Sequence, residues 1–268
     1  MRTLKKIILE HIRYRRTILK LAKSDLIKTY KNTALGWWWA IVRPSITLAV
    51  YYFAFSVGLG IARSVGGYPY FLWLIAGFLP WFFMRDMLVS GAGSIKKYRF
   101  LVTKIKYPIA TIPTFVCLSG FITQLALSVV VIGIFVCTGN FPTVYWLQIP
   151  LYAAMMLLFF ILWSLFSGLI SSFSSDFYQL VKSVTIMLFW LSGIMYDVNS
   201  INTEWIRNLM LINPITIIVN GYRNSFIYKE WFWENPREMV CFLIVFTILL
   251  VMTIIVYKRL HRDVVDVL

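Results

Sequence analysis

Charge is scarce in this sequence, and histidine scarcer still. Only 14% of its 268 residues are Asp, Glu, Lys or Arg, against roughly 25% in ordinary globular chains, too little polar surface to cover a water-facing domain of this length. The two histidines, His11 and His261, lie near opposite ends of the chain, so histidine-based metal sites and Ser-His-Asp chemistry are hard to assemble. The three cysteines, Cys117, Cys137 and Cys241, are odd in number and sit inside apolar runs, as buried small hydrophobes do. No G-x-x-x-x-G-K-[ST] loop occurs, so the chain does not cradle ATP phosphates in that way. Nor is there an internal repeat, or a compact apolar core ahead of a small-residue cleavage site within the first 36 residues, and the N-terminus is expected to be retained.

What the sequence does have is apolar. Hydrophobic residues make up 60% and aromatics 18%, with a mean hydropathy of +0.75, so the solvent for most of the chain is lipid, where only helices or a closed barrel satisfy the backbone. The runs 114–138 and 240–257 are continuous and helix-length rather than the alternating segments of about 10 residues that a barrel uses. An all-α membrane protein with six spans is expected, at about 37–62, 68–91, 109–138, 146–173, 177–196 and 239–257. Trp37, Trp38 and Trp39 form an aromatic belt at the first span, which carries Pro44 early, while Pro108 and Pro113 open the third.

Two segments differ in kind. Over the N-terminal region, Leu4, Ile8, Ile12, Leu19, Ala22, Leu26 and Tyr30 recur mostly at intervals of three and four, with Lys5, Arg13, Arg16, Lys20 and Lys23 on other faces. This predicts a basic amphipathic helix lying in the membrane interface or docking a cytoplasmic partner. Residues 1–36 thus form an interface region ahead of a transmembrane domain, 37–268. The stretch 197–238 holds two moderately apolar pieces, 205–212 and 215–228, each too short to cross about 30 Å. It reads as two short external helices that re-enter the membrane and line a gate or vestibule.

The formal net charge of +15 would fit nucleic acid, but its distribution does not. Ten Lys/Arg fall in 1–36 and five in 94–108, against one in 63–67 and none in 139–145. These clusters read as cytoplasmic segments facing an anionic leaflet, with both termini inside a cytoplasmic membrane, and no nucleic-acid module accompanies them. The turn at 171–176 is placed inside by parity.

Ionisable residues within spans are functional candidates. Arg85 and Asp86 either meet an anionic head group or are structural near a cytoplasmic boundary, and Arg43 and Lys182 lie where their side chains can snorkel. Tyr51, Tyr52, Phe53, Trp73, Trp81, Phe82 and Phe83 with the Trp belt are either a sliding surface for sugar rings or lipid-facing aromatics. Lys96, Lys97 and Arg99 would, as positive-inside anchors, face the anionic leaflet.

Four stretches stand out together: Tyr30-Lys31-Asn32-Thr33-Ala34-Leu35-Gly36-Trp37-Trp38-Trp39 with Pro44, the basic segment from Ile95-Lys96-Lys97 to Lys104-Ile105-Lys106-Tyr107-Pro108 with Pro113, Ser175-Asp176-Phe177-Tyr178-Gln179, and Leu211-Ile212-Asn213-Pro214 with Gly221-Tyr222-Arg223. In this order they resemble the permease subunits of ABC-2 type polysaccharide and polyol-phosphate exporters. Ser175 stands where the family usually has Arg before the Asp. Pro69-Tyr70-Phe71-Leu72-Trp73, Ala76-Gly77-Phe78-Leu79-Pro80-Trp81-Phe82-Phe83, Tyr145-Trp146-Leu147-Gln148 and Trp231-Phe232-Trp233 look most like the teichoic-acid translocation permeases. The resemblance implies a homodimer paired with two ATP-binding subunits, which would hold the ATP and Mg; this chain would carry no cofactor. It further implies that Asp176, Phe177, Tyr178, Lys104 and Lys106 transmit ATPase closure. A lipid-pyrophosphate-linked polymer would enter past Lys96, Lys97, Arg99, Arg43, Arg85, Tyr51 and Tyr52, and Asn213, Pro214 and Arg223 would form the external gate. An O-antigen or capsular exporter is the alternative cargo reading. A secondary transporter would show repeats around midplane charges, and a polyprenyl-lipid transferase would depend on a carboxylate such as Asp86 or Asp176.

Overall fold

A computed structural model describes residues 2–31, 33–58, 60, 64–261 and 263–264. Among these described residues ten α-helices carry the fold: α1 (Arg2–Tyr30), α2 (Trp39–Tyr52), α3 (Tyr70–Lys97), α4 (Arg99–Thr103), α5 (Thr111–Cys137), α6 (Ile149–Phe173), α7 (Ser175–Leu191), α8 (Glu204–Ile212), α9 (Pro214–Arg223) and α10 (Pro236–Leu260). Five helical stretches among the described residues are long and apolar enough to cross a membrane: Gly36–Gly58, Tyr70–Lys97, Thr111–Cys137, Val144–Phe173 and Pro236–Leu260. The chain is thus an all-α, multi-pass membrane protein.

Helix α3 is the hub. It is buried without interruption from Leu72 to Met84, as expected of a helix that is apolar on every side, and packs against α5, α6, α7 and α9. By contrast, Ile46 and Val50 of α2 and Leu243, Ile244, Ile248 and Val251 of α10 are exposed. A second core lies at the opposite end of the bundle from α8 and α9, where Ile18 and Ala22 of α1 meet Ile95, Tyr98, Leu101, Val102 and Phe115.

Several boundaries move. The expected first span ends at Ile61 and Ala62, which lie outside the described residues, as does Asn32 of the first resemblance stretch. Helix α3 runs six residues past the expected end of the second span, so Lys96 and Lys97 ride on its last turn. The expected fifth span is α7, 17 residues, or roughly 25 Å at 1.5 Å per residue. It stops because Gly193 adopts φ +62 and turns the chain. Ser64–Val65 and Tyr68–Pro69 pair as a two-stranded hairpin that the sequence reading did not anticipate. Gly66 and Gly67 at φ +59 and +80 supply the positive dihedrals a tight hairpin turn needs, and the Gly-Gly pair was its signal.

Helix α1 also departs from a single apolar stripe. Ile18, Ala22 and Leu26 are buried against the bundle, while Ile8, Ile12 and Leu19, expected on the same face, are exposed. The protein-facing stripe instead includes polar residues: His11 Nε2 and Thr114 Oγ1 are 2.7 Å apart, Tyr14 meets Tyr107 edge to face, and Asp25 is buried.

Candidate functional site

A cavity of about 870 Å³ opens among the end of α1, α2, α3, α5 and α7. Arg43 enters it from α2, Arg85 and Asp86 from α3, Gln124 from α5, and Tyr178 and Lys182 from α7, with Asp25 and Lys97 at its rim. Its charges are unevenly matched. Asp25 is 2.8 Å from Lys97, and Arg85 pairs with its neighbour Asp86 at 3.1 Å. Arg43 and Lys182 form no ion pair among the described residues, although the Lys182 ammonium stands 4.4 Å above the Tyr178 ring. Four cations and two carboxylates thus line the chamber, a positive excess that attracts anions. The Gln124 amide, deep in the bundle, donates to the Leu79 carbonyl at 2.9 Å and is thereby fixed.

Of the residues singled out from sequence for a substrate entrance, Arg43, Arg85 and Lys97 meet here. Lys96 turns away and donates to Ser175 Oγ at 3.2 Å, and Arg99 opens α4 outside the cavity wall. Tyr51 packs between Phe78 and Phe189, 5.3 Å from each, and Tyr52 meets Phe71 edge to face. Sequence reasoning missed Gln124 and read Lys182 only as a boundary residue. The signal was the spacing of Tyr178 and Lys182, four apart and therefore on one helix face.

The turn between α6 and α7 is built locally. Ser174 caps α7, its Oγ accepting from the Phe177 amide at 3.2 Å, as a residue preceding an acid-bearing first turn commonly does. Asp176 is exposed, while Tyr178 closes on α3 at Gly93. The Lys96–Ser175 bond ties this turn to the end of α3, so Ser175, where the family's arginine would stand, accepts from a lysine instead. Lys104 and Lys106 are exposed on the loop after α4. That loop is folded back by the Tyr107 amide donating to the Leu101 carbonyl at 2.9 Å, with Lys106 at φ 54. Beside it, Asp25 also accepts from the Tyr98 hydroxyl. Burial and that bond to Asp25 push the Tyr98 phenol well above its ordinary range.

At the far end, Asn213 and Pro214 start α9: Asn213 Oδ1 accepts from the Ile215 amide at 3.0 Å and its Nδ2 donates to Ser192 Oγ at 2.9 Å. Arg223 is 2% exposed. Its Nη1 and Nη2 donate to the Gly193 and Ile194 carbonyls, both at 2.6 Å, and its guanidinium lies 3.4 Å over the Trp73 ring. Gly77 leaves room for it, since a Cβ there would stand 2.5 Å from Nη2. The arginine thereby satisfies two buried carbonyls of the turn that follows α7 and joins α3, α9 and that turn at one point. Among the described residues no three His, Cys, Asp or Glu side chains converge on a metal-sized site.

Comparison with known proteins fits this architecture. The chain is 26% identical over 225 residues to an O-antigen export system permease protein, RfbA, of Myxococcus xanthus, covering 82% of this chain and 84% of that one. It is 24% identical over 212 residues to the protein of the same name from Klebsiella pneumoniae, covering 78% and 80%. With the inner membrane transport permease YadH of Escherichia coli K12 it shares 23% over 197 residues, covering 71% and 77%. The profile of the ABC-2 type transporter family matches residues 16–227, most of the chain, and the protein therefore belongs to that family of membrane transport subunits, whose permeases work with an ATP-binding subunit.

Proposed function

We propose that this chain is the membrane half of an ATP-driven exporter in the cytoplasmic membrane that moves a lipid-linked cell-envelope polysaccharide of the O-antigen type. The observation that carries the reading is the basic cavity: Arg43 and Lys182, without ion-pair partners among the described residues, offer charge to a pyrophosphate linkage. The cargo class rests on the RfbA relatives. A teichoic-acid cargo is the second reading, favoured by the stretches around Pro69-Tyr70-Phe71 and Trp231-Phe232-Trp233, and the polymer that copurifies separates the two.

In this reading α7 is a sixth, short crossing, α8 and α9 re-enter from outside, and both termini are cytoplasmic, in keeping with the Lys/Arg distribution. Residues 1–36 serve the interface and 37–268 the pathway. Two copies pair with two ATP-binding subunits, which supply ATP and Mg. Asp176, Phe177 and Tyr178, with Lys104 and Lys106, face the ATPase. Lys96 and Arg99 add positive charge outside the cavity, Lys97, Arg43 and Arg85 guide the head group into it, and Asn213, Pro214 and Arg223 hold the external gate.

The test is purification of the tagged chain in mild detergent, with ATP hydrolysis assayed with and without lipid-linked polymer. A stoichiometric ATP-binding partner whose hydrolysis responds to polymer is expected. The double variant Arg43→Ala, Lys182→Ala should need roughly 30-fold more polymer for the same response, at about 1 kcal/mol per cation. A chain that purifies reproducibly without an ATPase would instead favour a secondary transporter or a transferase.

A further inference from the structure

The end of the molecule that carries α8 and α9 also presents a ladder of aromatic rings. Tyr145 lies against Trp231 at 5.1 Å between ring centroids, and Trp231 stacks on Trp233 at 4.6 Å with the planes only 9° apart. Trp233, at the end of the ladder, is 56% exposed. The backbone beneath is fixed rather than draped. Buried Gln148 accepts from the Phe232 amide at 3.0 Å and donates to the Glu230 carbonyl at 2.6 Å, Glu234 accepts from the Trp231 amide at 3.2 Å, and Asn235 donates to Glu230 Oε2 at 3.0 Å.

A lone exposed tryptophan at a membrane protein's end is ordinarily an interfacial anchor. This one differs in two respects. Its indole is held by Trp231, itself backed by Tyr145, and by the edge contact of Phe232 at 4.8 Å, and the same short turn carries the exposed carboxylates of Glu230 and Glu234, which are poor company for an acyl boundary and good acceptors for hydroxyl groups. An electron-rich indole face next to fixed acceptors and an amide suits the C–H face of a pyranose ring with its equatorial hydroxyls.

We propose that Trp233, backed by Trp231 and Tyr145 and flanked by Glu230, Glu234 and Asn235, is a stacking site for a sugar ring of a carbohydrate chain. The identification of that chain as the exported polymer rests on the exporter reading; the sugar site itself does not. Stacking needs only a C–H face, so the site tolerates different sugars, and cellohexaose and chitohexaose serve as soluble probes.

The experiment uses the full chain in lipid nanodiscs, with saturation-transfer difference NMR of each oligosaccharide and no ATPase or transport step. Enhancements on pyranose ring protons are expected, with affinity roughly tenfold weaker in Trp233→Ala and largely kept in Trp233→Phe. Quenching of Trp233 fluorescence, taken as the difference from Trp233→Phe, should be strong with acrylamide and weak with brominated lipid. Absence of transfer from both oligosaccharides overturns the proposal, as does equal binding by Trp233→Ala, or quenching by brominated lipid alone, which would make the ladder a membrane anchor. Failure of the exporter reading would leave this binding intact, so the two are separable.

Discussion

Replacing Arg223 by alanine is expected to abolish export and to lower the melting temperature of the purified chain more than truncation of any exposed side chain nearby. The side chain is 2% exposed, and its two bonds satisfy the buried carbonyls of Gly193 and Ile194 in the turn after α7. Leaving two buried acceptors without donors costs about 1–3 kcal/mol each, to which the void against Trp73 and Gly77 adds. Arg223→Lys should fall between, because a single ammonium cannot fork to both carbonyls or lie flat on the indole. Gly77→Ala attacks the same clamp from α3, placing a methyl 2.5 Å from Nη2, an overpacking of about 1–3 kcal/mol. Because both changes act on one contact, the double variant should lose clearly less than the sum of the two. Thermal unfolding in detergent reads all four variants against wild type, and strict additivity, or an Arg223→Ala variant that melts like wild type, would mean that Arg223 does not hold these helices together.

The second large effect is expected at Asp25. It is 6% exposed and holds α1 to the junction of α3 and α4 through Lys97 and the Tyr98 hydroxyl. Lys97 is 53% exposed, so solvent screening leaves that ion pair worth little, about 1 kcal/mol or less. The Tyr98 bond matters more, since the hydroxyl is buried and has no water to fall back on. Asp25→Ala should therefore cost about 1–3 kcal/mol, concentrated on the α1 contact rather than on the whole bundle. Amide hydrogen exchange should show α1 exchanging faster with α3 unchanged, and ATP hydrolysis should continue while export falls. Asp25→Asn, which keeps an acceptor, should recover most of both. The pH dependence follows from the sign of the Tyr98 shift. A phenol raised above its ordinary 10.0 contributes stability that is complete below that value and is lost only as pH rises beyond it, so the tie holds throughout the neutral range. Uniform exchange across all helices in Asp25→Ala would show instead that the residue supports the global fold.

Much of this protein is legible from its residues taken in order. Scarce charge and continuous apolar runs require helices in lipid, because no other open structure satisfies the backbone there. The long helices accordingly lie within a few residues of their expected places, and Gly-Gly between Val65 and Tyr68 was a readable hairpin signal. The membership in the ABC-2 type family was visible in short stretches whose order and spacing matter more than any one of them.

What could not be read is which apolar surface faces what. The same letters line lipid and protein interior: Leu72 through Met84 of α3 vanish into the core, while Ile46 and Val50 of α2, of equal hydrophobicity, stay outside. The apolar stripe of α1 was likewise ambiguous, since periodicity reports a face but not its partner, and only packing showed that Asp25 and His11 belong to the protein side. Arg223 made the limit plainest, for in sequence it is a cation in a short external helix. Its partners are two backbone carbonyls about thirty residues away and the face of a tryptophan on another helix. Hydrogen bonds to carbonyls and contacts with ring faces leave no signature in the order of side chains, so the fold alone decides where such a charge can be buried.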